Sequence, residues 1–115
     1  MRAKTINEKF NKESDPVHDL GIGIEGLLEE IQKILKRIVK KYNLDTNVNF
    51  FDNYLQIGYS IEVYDIYVSI LLSKNDNYSI NVSVTHVVSD SFDCHDLEEA
   101  EKVVEWQVKE ILNIN

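Results

Sequence analysis

The sequence contains a single cysteine, Cys94, among 115 residues, and it has no long hydrophobic run. An internal disulfide is therefore impossible, and the cysteine content gives no indication of an oxidising compartment. The apolar runs are too short to span a membrane, and residues 1–13 lack the apolar segment of a signal peptide. We therefore expect a cytoplasmic protein that does not associate with membranes.

Positive charge is also scarce, because 12 basic residues stand against 20 acidic ones and the net charge is −8. General affinity for nucleic acid depends on neutralising phosphates, so this balance argues against direct nucleic-acid binding. The charges are unevenly distributed along the chain. Residues 27–42 carry five basic and two acidic groups, whereas residues 90–115 carry eight acidic and two basic groups. Two helices formed by these segments would have opposite charge.

No catalytic or cofactor motif is present. Gly21, Gly23 and Gly26 have the Gly-x-Gly-x-x-Gly spacing of a dinucleotide site, but no strand precedes them, so the required strand-to-helix context is missing. Internal repeats and low-complexity segments are also absent. We accordingly assign no catalytic residues and expect no cofactor.

Residues 54–88 predict a run of antiparallel strands, because apolar and polar residues alternate with a period of two. The alternation changes parity after Val63, which predicts a tight turn or bulge within residues 62–65. A second turn is expected at residues 73–77, where residues tolerant of turn conformations cluster. A fourth, short edge strand is expected near residues 48–51, and residues 87–95 are expected to form a loop.

Two helices are expected to flank these strands. Residues 24–42 place apolar residues at spacings of three and four, with acidic residues early and basic residues late. The last helix should start at Asp96, because Asp96 and Glu99 resemble a capping box. The economical arrangement is an α+β two-layer sandwich: helix, three- or four-stranded antiparallel meander, helix, with both helices on one sheet face. We expect residues 1–13 to form a flexible arm and residues 14–115 a single domain.

The segment Glu8-Lys9-Phe10, followed by residues 14–23 (SDPVHDLGIG), resembles the leader of small uncharacterised phage-encoded proteins. The resemblance is confined to these 13 residues. It implies a phage accessory protein that acts by binding a host or phage component, and it implies no catalytic role.

The order of helices and strands is also similar to that of the double-stranded-RNA-binding domain. That family has a basic cluster at the start of its last helix, whereas residues 96–101 of this chain carry four acids. These acids would repel phosphate, so RNA binding is not expected.

A few residue types suited to metal binding or acid–base chemistry occur near the two helix starts: His18, Asp93, Cys94 and His95. Their spacing matches no known ligand motif, so we assign no metal site and keep these four as weak candidates. A solvated capping loop explains the same residues.

The composition favours a non-catalytic protein that binds another protein, in its concrete form a phage-encoded inhibitor of a host nuclease or defence system. An acidic surface can compete for the nucleic-acid groove of such a partner. The candidate contact residues are Asp90, Asp93, Glu98, Glu101, Glu105, Tyr67 and Leu71. Two alternatives remain open: a small metal-dependent or Cys/His-dependent enzyme, and a homodimeric accessory protein that pairs through its uncharged sheet face.

Overall fold

The computed structural model describes residues 23–75 and 77–113 of the chain. The elements follow in the order α1 (Ile24–Lys41), β1 (Asn49–Asp52), β2 (Gln56–Val63), β3 (Ile66–Ser73), β4 (Ile80–Thr85), β5 (Ser89–Cys94) and α2 (Leu97–Leu112). All strands belong to one antiparallel sheet in the order β1-β2-β3-β4-β5, and both helices pack on it, which confirms the α+β fold. The predicted boundary between residues 13 and 14 lies outside the described residues. Within the described ranges, no helix is long and apolar enough to cross a membrane.

Helix α1 forms because its apolar residues recur at helical spacing and face the sheet. Lys40 and Lys41 occupy its last turn, where positive charge favours the helix dipole. The helix ends at Tyr42, and Asn43 adopts a left-handed conformation with φ 53°. The predicted helix over residues 24–42 is thus confirmed. Its buried residues are Ile31, Ile34, Leu35 and Ile38.

The alternation in β2, β3 and β4 gives the sheet one face covered by helices and one outer face. The buried sheet residues on the covered face are Ile61, Val63, Val68, Ile70, Leu72 and Val82. Residues that pair directly across antiparallel strands point to the same face. The register therefore places a row of small polar residues across the outer face: Asn49, Ser60, Ser69, Ser83 and Ser91.

The predicted turn within residues 62–65 joins β2 to β3. Val63 pairs with Ile66, which leaves Tyr64 and Asp65 as a two-residue loop with φ values of 51° and 68°. Positive φ at both central residues is the conformation of a type I′ hairpin turn, whose twist matches the flanking strands. Because the loop has two residues, the apolar sets of β2 and β3 stay on the same face.

The sheet has five strands rather than the three or four expected, and β5 is the strand that was missed. Residues 87–95 were expected to form a loop, but Ser89–Cys94 pairs along β4 in full register. This edge strand has only two apolar residues on the covered face, Phe92 and Cys94, so its sequence shows no apolar run. The short strand expected near residues 48–51 is present as β1, at the opposite edge. Five strands also separate this fold from the three-stranded double-stranded-RNA-binding domain.

Helix α2 lies on the same sheet face as α1 and covers the part of it that α1 leaves open. It packs on β3 and β4 and reaches β5, whereas α1 packs mainly on β2. Its buried residues are Ala100, Val104 and Val108. Trp106 lies at the margin of the apolar stripe, 51% exposed, with its ring 5.7 Å from that of Phe92 in an edge-to-face contact. The two helices therefore divide the apolar sheet face between them.

Gly58 in β2 lies close against the backbone of β3. A Cβ atom added at this position would lie 2.0 Å from the carbonyl oxygen of Ile70 and 2.9 Å from the Cα atom of Leu71. Both contacts involve the backbone of β3, which cannot move aside like a flexible side chain. The strand pairing of β2 with β3 thus depends on glycine at this position.

We expect Gly58→Ala to lower the free energy of unfolding by about 2 kcal/mol or more, because the two central strands must separate locally to admit the methyl group. Urea denaturation monitored by circular dichroism would measure this loss. Gly23→Ala is the matched control, since no atom lies within 4 Å of the Cβ position there. The control should cost less than about 1 kcal/mol, in keeping with an exposed N-cap position. Equal losses of unfolding free energy in Gly58→Ala and Gly23→Ala would contradict the dependence of the β2–β3 pairing on glycine at position 58.

Candidate functional site

The acidic residues selected from the sequence lie on two neighbouring elements, strand β5 and helix α2. In β5, Asp90 pairs with Val84 and points to the helix-covered side, whereas Asp93 pairs with Asn81 and points to the outer side. Both are exposed. Asp93 accepts a hydrogen bond from the Asn81 side chain at 3.3 Å. The two carboxylates therefore lie on opposite sides of the same free strand edge.

Helix α2 begins immediately after β5, and its cap adds further carboxylates at the same place. The Asp96 side chain accepts a hydrogen bond from the Glu99 amide at 2.8 Å, and the Glu99 side chain accepts one from the His95 amide at 2.6 Å. This is close to the expected capping box, with the Glu99 contact displaced by one residue from the cap. Glu98 lies in the same first turn and is exposed.

Glu101 and Glu105, also selected from the sequence, have a different environment because they face α1. The Arg37 guanidinium donates two hydrogen bonds to the Glu101 carboxylate, at 2.8 and 3.2 Å. One turn later, Lys41 forms an ion pair with Glu105, and the Tyr42 hydroxyl donates to the same carboxylate at 2.6 Å. These pairs also show that α1 and α2 run in the same direction, because both helices advance one turn from the first pair to the second.

The electrostatics of Glu105 follow from these contacts. Hydrogen bonds from Lys41 and then Tyr42 lower the pKa of the Glu105 carboxyl, because both favour its charged form. The same contact with Glu105 raises the pKa of Lys41, and the hydrogen bond with Glu101 raises the pKa of Arg37. Glu101 and Glu105 are therefore committed to holding the helices together and are not free for a partner.

The remaining acids form what we call the acidic corner: Asp90, Asp93, Asp96, Glu98 and Glu99. None of the five forms an ion pair with another described residue. Lys102 borders the same shallow groove as His95, Asp96, Glu98 and Glu99, but it makes no ion pair with them. The corner is thus a concentrated negative surface on a backbone fixed by strand pairing and a capped helix.

The residue types that suggested metal or thiol chemistry are not brought together. Asp93 and Cys94 are neighbours on a strand and so point to opposite faces. Among the described residues, no three His, Cys, Asp or Glu side chains are grouped so as to hold a metal ion. His18 lies outside the described residues.

Cys94 is half-buried, and its Sγ atom lies 3.6 Å from the carbonyl oxygen of Phe92. Burial raises the pKa of the Cys94 thiol, and the carboxylates of Glu99, Asp93 and Asp96 raise it further. Reactive cysteines need the opposite environment, with nearby positive charge that favours the thiolate. The surroundings of Cys94 therefore disfavour a nucleophilic role at neutral pH.

Tyr67 and Leu71, the two sheet residues selected as contacts, both lie on the outer face. Tyr67 is 48% exposed and accessible to a partner. Leu71 is only 5% exposed, so it is a packing residue and we leave it out of the docking surface.

The sequence reasoning missed one surface entirely, the apolar residues of the β1–β2 hairpin. Phe50, Phe51, Tyr54 and Leu55 are all among the exposed large hydrophobic residues of the protein. The available signal was the pair of adjacent phenylalanines, because neighbours on a strand cannot both point to the covered face.

Comparison with known proteins finds no matching family model, no matching curated protein and no matching solved structure.

We expect Glu105→Gln to reduce stability by about 0.5–1 kcal/mol at neutral pH, the usual range for a partly exposed ion pair. The folded-state pKa of Glu105 is lowered, so its contribution is present above the unfolded-state pKa and is lost as the pH falls through the folded-state pKa. The urea midpoint of the variant should therefore fall less steeply than that of the wild type as the pH is lowered below about 4.5. Glu110→Gln is the matched control: Glu110 is exposed on the same helix and forms no ion pair with a described residue, so this variant should lose less stability at neutral pH than Glu105→Gln.

We also expect the Cys94 thiol to react with a disulfide reagent more slowly in the folded protein at pH 7 than in urea. Its raised pKa reduces the thiolate fraction, and burial restricts access. A colorimetric thiol assay on both states measures the ratio. Faster reaction in the folded state would indicate an activated cysteine and would favour the enzyme alternative.

Proposed function

We propose that this protein is a non-catalytic binding protein that docks a basic surface of another protein on its acidic corner. The observation that carries the proposal is the charge state of this corner. Five carboxylates fall within residues 90–99, with no lysine or arginine among those residues and no ion pair to a described residue. Glu101 and Glu105, in contrast, are paired with the basic residues of α1.

The geometry of the corner suits recognition of a basic partner. Asp90 and Asp93 are on opposite sides of the β5 edge, and Glu98 lies beyond them in the first turn of α2, so a cationic partner meets carboxylates on each side of the strand. The backbone at this place is held by the register with β4 and by the Asp96 cap. Fixed negative charge of this kind accelerates association and selects partners by charge.

In its concrete form, the proposal is an inhibitor of a nucleic-acid-binding protein. A protein that binds nucleic acid presents a basic groove, and the acidic corner would compete with phosphate for that groove. The resemblance of residues 8–10 and 14–23 to phage leaders makes a host nuclease or defence system the target we favour, acting in the cytoplasm of the host. Tyr67 adds an exposed aromatic ring to the outer sheet face, on β3, which is separated from β5 by β4.

The test is capture of partners from the cell that produces the protein, with identification by mass spectrometry. We expect the variant D90K/D93K/E98K to lose the partner that the wild type captures, because three carboxylates of the corner become cations. The variant E29K/D45K/E110K changes the net charge equally at exposed positions outside the corner and should retain the partner. Glu101 and Glu105 are unsuitable for this test because their reversal would disrupt the contact between helices.

Two outcomes would contradict the proposal. The first is a partner that binds the corner variant and the control variant equally well. The second is a partner whose binding grows stronger as salt is raised, since an ionic contact must weaken under screening. If the captured partner is a nuclease, a cleavage assay with the purified enzyme should show inhibition by the wild type and by the control variant only.

A further inference from the structure

The sheet has two free edges within the described residues, and they differ in chemistry. The β5 edge carries Asp90 and Asp93, whereas β1 carries Phe50 and Phe51 with Asn49 and Asp52. Asp52 is neutralised by an ion pair with Lys74 at 2.6 Å. A second copy that paired with the β5 edge would bring like charges together, which is unfavourable. The β1 edge has no such penalty.

An apolar patch surrounds the β1 edge. Phe50 is 57% exposed, Phe51 37%, Tyr54 83% and Leu55 44%. An exposed, apolar edge strand offers unpaired backbone groups and is a ready template for pairing with another strand. Proteins usually protect such edges with charged residues, and this one lacks an unpaired charge in the strand.

The hairpin that carries this patch is held in place before any partner arrives. The Asn53 side chain accepts hydrogen bonds from the amides of Leu55 and Gln56, at 2.8 and 2.7 Å. The Lys74 amide donates to the Leu55 carbonyl at 2.8 Å, and the Phe50 ring packs edge to face on Tyr59 at 5.4 Å. A preorganised surface loses less conformational entropy on binding.

We propose that the β1 edge is a self-association surface at which two copies pair antiparallel into one continuous sheet. A two-fold axis close to Phe50 and Phe51 brings the phenylalanines of both copies together and closes the assembly as a dimer. This inference is independent of the acidic corner, which lies at the opposite edge and stays open in the dimer.

The helix layer leaves room for the second copy. Helix α1 packs mainly on β2, and the two β2 strands of the dimer would be three strand spacings apart, about 14 Å. Packed helices need only about 8–10 Å between their axes, so the two α1 helices do not clash. Phe50 points to the helix-covered side, since it pairs with Tyr59, and its ring would help to fill the gap.

The area of the patch limits how much surface a dimer can bury. With about 150–250 Å² for each large side chain, the exposed parts of the four apolar residues amount to roughly 400–500 Å² per copy, or roughly 800–1,000 Å² for the pair. Stable complexes typically bury at least about 1,200 Å² in total. We therefore expect a reversible dimer whose population depends on protein concentration, and whose formation is opposed by the net charge of −8 on each copy.

Sedimentation velocity from about 5 to 500 µM, at low and high salt, tests the proposal over the range in which weak dimers dissociate. We expect the dimer fraction to rise with concentration and with salt, because salt screens the repulsion between copies. F51K should raise the dissociation constant at least tenfold by placing a charge on the paired edge. V87K is the matched control: Val87 is 87% exposed in the turn between β4 and β5, and this variant should dimerise like the wild type.

Y54K is a second variant in case F51K does not fold. Tyr54 is 83% exposed, so the fold does not depend on its side chain. Y54K should weaken the dimer, and hydrogen exchange should slow in residues 49–52 but not in residues 89–94 as the wild-type concentration rises. A wild type that is monomeric over the whole range overturns the proposal. So does a dimer that V87K weakens as much as F51K and Y54K do, or one whose slowed exchange falls at β5 instead of β1.

Discussion

Burial of one face of the sheet is the constraint on which the rest of this structure depends. The central strands β2, β3 and β4 place their apolar residues on a single face, and that face is too wide for one helix to cover. Helix α1 covers the β2 side and α2 covers the side of β3 and β4. Because both helices must lie on the same face, they become neighbours, and their surfaces must be compatible in shape and charge.

The opposite charges of the two helices follow from this neighbourhood. Parallel helices place their dipoles side by side in the same direction, which is mildly unfavourable, so attraction between side chains is useful there. Arg37 and Lys41 of α1 supply the cations, and Glu101 and Glu105 of α2 supply the anions. The acidic C-terminal segment thus has two parts: acids that are paired with α1, and acids at the corner with β5 that make no ion pair with a described residue, two of which, Asp96 and Glu99, also cap α2.

The sequence predicted the covered face well because its apolar residues repeat with a strict period. Ile61, Val68 and Val82 each fall in an alternating run, and the stripe of α1 is equally regular. Strand β5 was not predicted because an edge strand needs few buried residues. Ser89, Asp90 and Ser91 pair their backbone with β4 and contribute no side chain to the core. The pairing of Glu101 with Arg37 could not be predicted either, since these residues are 64 positions apart and their contact depends on how the two helices are placed. The spacing of apolar residues predicts which face of a segment is buried, but it does not predict which charged residues form ion pairs in the fold.

The division of the sheet face between α1 and α2 has a consequence for synthesis. The ribosome synthesises α1 and the five strands before α2. In a nascent chain that ends before Asp96, α1 can cover the β2 side of the sheet. The apolar residues of β3 and β4, such as Ile70 and Val82, still lack the helix that buries them. Arg37 and Lys41 also have no Glu101 and Glu105 to pair with until α2 emerges. Synthesis of α2 is thus the step that covers the β3 and β4 side of the core, and loss of the last two turns of α2 would leave exposed apolar surface of the kind that chaperones recognise.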